Sequence, residues 1–186
     1  MNDKSVYFVV AVLLLVLALT CVAWRSLLRA RRSSRLSWES IVRKLIWVDP
    51  KIVAKIALDL THESTRCEKE SEWESIDPSG IWGMIGGMEG LENLKKNSHV
   101  LIDLAAHLQR WYPDALVVAE ELRRAARELE WHVGRLEGAA NTGNLEISFP
   151  FYAQRAVASY YRMTRQLLAF YEQKDLILFT DLQKAL

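Results

Sequence analysis

The chain has 186 residues, 51% hydrophobic and 25% charged, with a formal net charge of +1. So balanced a charge leaves no electrostatic footprint for nucleic acid, which needs a basic excess to displace condensed counterions. Cys21 and Cys67 are the two cysteines, too few for a disulfide framework and in keeping with a reducing compartment.

Residues 1–5 carry only Asp3 and Lys4, and residues 6–24 then run for nineteen positions without a charge, mainly Val, Leu and Ala. A helix rising about 1.5 Å per residue spans a hydrocarbon core of about 30 Å with this length. The run is apolar all round, as lipid requires, and Tyr7, Phe8 and Trp24 stand near its ends, where aromatic rings favour the headgroups. A cleaved signal peptide fits poorly, since the leader has no basic excess and the apolar run exceeds the usual ~7–15 residues. Thr20 before Cys21 also spoils a lipobox. The segment is predicted to be an uncleaved signal-anchor.

Arg25, Arg29, Arg31, Arg32 and Arg35 follow in a basic juxtamembrane segment, 25–36. The positive-inside rule puts the carboxy-terminal side in the cytoplasm and residues 1–5 outside, in a single-pass protein of the cell (inner) membrane. These arginines and Trp24 are the predicted contacts to the lipid bilayer, each arginine contributing about 1 kcal/mol near an anionic leaflet.

Residues 37–186 are one domain's worth of chain, enough to bury roughly 70% of its unfolded surface. Ser37 caps a predicted helix over 37–47 whose Trp38, Ile41, Val42 and Leu45 share a face. It is either an in-plane helix on the bilayer or the first helix of a bundle. Asp49-Pro50 starts the next helix, to about 66, with Val53, Ile56, Ala57, Leu60 and Cys67 along one stripe. Residues 68–88 read as a long loop: acidic around Trp73, a turn at Asp77-Pro78-Ser79-Gly80, then a glycine-dotted apolar run.

A long helix is predicted over 88–111. Leu91, Leu94, Ser98, Leu101, Ala105, Leu108 and Tyr112 step by three and four along it, a coiled-coil-like heptad seam. Tyr112-Pro113-Asp114 ends it. The helix over 114–137 carries Ala115, Val118, Leu122, Ala125, Leu129, Val133 and Leu136 on one face and an attractive Glu120–Arg124 pair on the other. Residues 138–144 read as a loop. Ser148, with Pro150 just inside, begins a last long helix to about 174, with Ala153, Ala156, Val157, Tyr160, Thr164, Leu167 and Tyr171 inward. Residues 176–186 form a short amphipathic helix that either closes the core or touches lipid. The expected architecture is all-α: a single N-terminal transmembrane helix followed by an antiparallel helical bundle of three long helices plus shorter ones.

Candidate chemistry is sparse. His99, Asp103 and His107 lie four residues apart on one stripe, as metal ligation would require. That stripe is about 140–180° from the heptad seam, on a polar face with Glu92, Lys96 and Arg110, so a site needs another ligand from His62, Glu63 or His132. The glycines at 80, 83, 86, 87 and 90 match neither phosphate-loop nor dinucleotide spacing, and no cofactor is expected. The segment is then a hinge, or an exposed apolar loop whose Trp82, Met84, Ile85 and Met88 meet a partner or lipid. Trp131 lies opposite its helix's apolar stripe. Another helix covers it, or it is bare for a partner with Arg127 stacked on it. His62 and Cys67 fall on different faces, and no catalytic residue is assigned. The expected role is a membrane-anchored interaction or scaffolding module that binds a protein partner or a copy of itself (a homo-oligomer). The alternatives are a metal-binding or metal-dependent hydrolytic helical domain and a membrane-surface lipid sensor.

Overall fold

The computed structural model describes residues 12–17, 20, 21, 24, 37–65, 76–176 and 178–186. The chain divides into two units, Met1–Leu36 and Ser37–Leu186. In the first, the described residues are helical and 12–17 are all exposed. Six successive positions sweep more than one turn, so no covered stripe exists over that stretch. The Thr20 hydroxyl donates back to its own helix, to the carbonyls of Val16 (3.0 Å) and Leu17 (2.9 Å). Among the described residues, no helix is long and apolar enough to cross a membrane. More than half of the span expected at 6–24 lies outside the described residues, as do Arg25, Arg29, Arg31, Arg32 and Arg35.

The described residues of the second unit form seven helices and no strand: α1 (Trp38–Val42), α2 (Pro50–Thr65), α3 (Pro78–Ile85), α4 (Gly87–Leu108), α5 (Ala115–Asn141), α6 (Leu145–Gln173) and α7 (Phe179–Ala185). Helix α6 is central, packing against α2, α3, α4, α5 and α7. Side-chain pairs fix the directions of the long helices. Lys95 meets Glu137 (3.5 Å) and His99 meets Glu130 (3.1 Å), so α4 and α5 run antiparallel. Gln166 meets Glu121 (3.2 Å) and Arg162 meets Glu128 (3.5 Å), so α5 and α6 do too.

The heptad seam is the core-facing stripe of α4: Leu91, Leu94, Ser98, Leu101, Ala105 and Leu108 are all buried. The predicted stripe of α6 is buried from Ala153 to Tyr171, and that of α5 is buried except for half-exposed Val118. On α4, burial spreads to Asn97, Val100, Leu104 and His107, because α1, α3, α5 and α6 surround this helix. Asp59 of α2 is also buried, its carboxylate accepting from the Ile76 backbone N–H (3.4 Å) and from Gln154 of α6 (3.2 Å).

Several expectations require correction. The first helix stops at Val42, and the chain is then non-helical to Asp49. It belongs to the bundle: Ile41 is fully buried, and the Trp38 indole donates to the Tyr171 hydroxyl (3.0 Å). The loop expected at 68–88 is helix over Pro78–Ile85. Asp77-Pro78 is a helix start of the same kind as Asp49-Pro50. The break comes at Gly86 and Gly87, both at positive φ (79° and 64°). A Cβ on Gly90 would come 1.7 Å from the Ile85 carbonyl oxygen, so this corner is closed tightly by backbone-on-backbone packing.

Helix α5 continues past Gly138 to Asn141, so the loop expected at 138–144 shrinks to a turn. The left-handed stop is Gly143 (φ 75°), with Asn144 N–H on the Ala139 carbonyl and Gly143 N–H on that of Ala140. This is a Schellman cap. Helix α6 starts at Leu145, so Ser148 and Pro150 lie inside it. The carbonyl that Pro150 leaves without its helical donor is that of Glu146, an exposed residue of the first turn. Leu182 of α7 is fully buried, so the terminal helix closes the core.

Candidate interaction surface

Antiparallel pairing brings the second half of α5 beside the first turns of α6, and aromatic side chains collect there. Trp131 of α5 is 57% exposed and sits edge-on to His132 (4.9 Å between centroids) and to Tyr152 of α6 (5.8 Å). Phe151, half-exposed, meets Tyr152 edge-on at 5.1 Å. The Arg135 guanidinium lies 5.9 Å over Trp131 and 5.8 Å over Tyr152, and Arg155 lies 4.3 Å over Phe151. Each arginine is one turn beyond its ring (131/135 and 151/155), the spacing that puts side chains on one face. Exposed cation–π contacts contribute about 0.5–1 kcal/mol each. Ile147, the most exposed large apolar residue of this region, continues the same face of α6.

The stacking partner of Trp131 is Arg135, not Arg127. Helical side chains lean toward the N-terminus, so Arg135 reaches back over Trp131 while Arg127 leans away. His132 beneath the cluster is buried, and its Nδ1 has no hydrogen-bond partner among the described residues. Burial, then the nearby Arg155, hold its imidazole below its ordinary pKa, with Glu128 pulling weakly upward.

The other predicted contact residues are less available. Trp82 meets Phe149 at a tilt (4.4 Å between centroids) and stays half-exposed, with its ring 2.9 Å from where a Gly87 Cβ would stand. Met84, Ile85 and Met88 are only partly exposed, and Ile81 is fully buried. The run is a packed helix corner rather than an apolar loop.

His99, Asp103 and His107 are not brought together as ligands. His99 pairs across to Glu130, while His107 is buried and lies edge-on to Trp111 (5.0 Å). Among the described residues, no three His, Cys, Asp or Glu side chains are placed to hold a metal ion. The helical wheel put His107 on a solvated face, but a helix surrounded by four others has no wholly solvated face there.

Comparison with known proteins finds no match: no family model, curated protein or solved structure is detectably similar to this chain. The surface must therefore be judged on its own chemistry. Tyr152, Phe151, Arg135 and Arg155 were not singled out from sequence. The aromatic-to-arginine spacing of four, repeated at 131/135 and 151/155, was the available signal; the meeting of the two pairs depends on helix pairing.

Proposed function

We propose that this chain is a membrane-tethered helical module that binds a protein partner through the Trp131–Tyr152–Phe151 face. One observation carries the reading: a ring-on-ring aromatic cluster, capped by Arg135 and Arg155, left exposed on two packed helices. Trp, Tyr and Arg dominate the energetics of protein interfaces. Rings already held by neighbours lose little freedom on binding, which lowers the cost of association. The two arginines make an acidic partner surface the better complement.

The tether is supported by the nineteen uncharged residues of 6–24 and the five arginines after them. The internally bonded Thr20 hydroxyl suits the same setting, since lipid offers it no other partner. Tethering raises the local concentration of the interaction face at the bilayer.

Photo-crosslinking of the full chain in membranes tests the face. A photoreactive residue replacing Ile147 is expected to give an adduct whose yield falls at least fivefold in the Trp131→Ala/Phe151→Ala double variant. The same group replacing Val117, exposed on the first turn of α5, should give little. Equal yields from both positions, or an adduct that persists in the double variant, would remove the face from the account. An adduct of twice the chain's mass identifies a second copy as the partner. Release by alkaline carbonate would remove the tether.

A further inference from the structure

Between α2, the segment before it and the α3–α4 corner lies a cleft of about 280 Å³. Its walls are mainly apolar, with Ile52, Ile56, Met84 and Leu94 among them, and exposed Trp47 borders it. Two residues with polar side chains, Asp49 and Asn93, join the lining. One Asp49 oxygen caps α2 by accepting the Lys51 backbone N–H (2.9 Å). Its other oxygen, and the Asn93 amide, take no hydrogen bond or ion pair among the described residues. Asp49 is the one ionisable residue on the lining.

We propose that this cleft binds a single-chain amphiphile whose head is a protonated amine. The volume lies just under the ~300–1,000 Å³ of drug-sized ligand sites, enough for one hydrocarbon chain and too little for a two-chain lipid or a folded segment. Apolar walls hold water poorly and take a chain well. The head group follows from charge: the free Asp49 oxygen and the Asn93 carbonyl are acceptors for N–H donors, and a carboxylate head would face a like charge.

Residue choice at the corner fits an open cleft. Gly86 needs its glycine for a φ of 79°, but Gly83 lies inside α3 with no positive φ, and a Cβ there would meet nothing within 4 Å. Glycine inside a helix costs roughly 0.5–1 kcal/mol relative to alanine. Position 83 therefore gives up helix stability and leaves space on the cleft wall that the backbone does not demand.

Photoaffinity labelling of the full chain tests the assignment, with decylamine and decanoic acid each carrying a diazirine at the chain end. The amine probe is expected to mark peptides containing Ile52–Ile56 and Met84 at least fivefold more than the acid probe. Met84→Trp, which fills the cleft from its wall, should cut that labelling at least fivefold. Asp49→Asn keeps the helix cap, since Asn caps as well as Asp, and should abolish the preference for the amine. Equal labelling by the two probes, labelling of Met84→Trp at the wild-type level, a preference that survives Asp49→Asn, or marks confined to 6–24 would each overturn the proposal.

Discussion

Asn97 and Ile46 are joined by two hydrogen bonds that close a ring: Asn97 Oδ1 accepts the Ile46 N–H at 2.8 Å, and Asn97 Nδ2 donates to the Ile46 carbonyl at 2.7 Å. The same amide donates to the Tyr160 hydroxyl at 3.3 Å. Asn97 of α4, 1% exposed, thus pairs both backbone groups of Ile46 in the non-helical 45–49 segment and ties that segment to α6. It explains how a stretch with no helix of its own stays docked on the bundle and frames the cleft.

Replacing Asn97 with Leu removes this clamp and leaves both Ile46 backbone groups without partners. An unsatisfied buried group costs about 1–3 kcal/mol and a half-buried one such as those of Ile46 less, since water reaches it in part, so Asn97→Leu should destabilise the bundle by about 1–3 kcal/mol. The urea midpoint measures it. A loss below about 0.5 kcal/mol, the range of neutral surface changes, would contradict the pairing.

Two glycine substitutions should move in opposite directions. Gly90→Ala forces a Cβ against the Ile85 carbonyl oxygen, while Gly134→Ala adds one into open space within α5. Gly134→Ala is expected to stabilise by about 0.5–1 kcal/mol through helix propensity and lower unfolded-state entropy. Gly90→Ala should lose several times that, because the α3–α4 corner must open. Thermal melts that rank the two variants the other way would refute the corner geometry.

Asp175 ends α6 at φ 49°, with its N–H on the Glu172 carbonyl and that of Leu176 on the Tyr171 carbonyl. This is a second Schellman cap, here with a residue that has a Cβ in the left-handed position. Asp175→Gly should therefore stabilise by about 0.5–1 kcal/mol, since that conformation is strained for any L-residue. An unchanged or lowered melting temperature would count against the cap.

His107 and His132 both have pKa values held below the ordinary 6.5, by burial first and by Arg110 or Arg155 second. The unfolded chain takes up these protons as pH falls through about 6.5, and the folded chain only at lower pH. Below that point the unfolded state binds more protons, so stability is full above it and declines as pH drops. The double variant His107→Gln/His132→Gln should flatten the slope of unfolding free energy between about pH 7 and 5. An equal slope in variant and wild type would place the acid sensitivity elsewhere.

The all-helical class was legible because the stripes of α4, α5 and α6 repeat every three to four residues over about five turns or more, and a stripe that long has few other solutions. Element ends were less legible. Gly138 resembles a stop, but Gly143 is the residue in the left-handed conformation. Pro150 resembles a first-turn residue, yet α6 begins five residues earlier. In each case a local signal was met by a helix whose buried face made extension favourable.

By itself the sequence determined the main inward stripe of each long helix and that residues 6–24 are an uncharged run, since both depend only on residue order. Tertiary structure alone decided that α1 docks in the bundle, that His107 is buried while His99 pairs with Glu130, and that Trp131 meets Tyr152 under Arg135. Those outcomes turn on which helix lies beside which. Helical periodicity gives each helix its own faces, but the neighbour that covers a face comes from elsewhere in the chain.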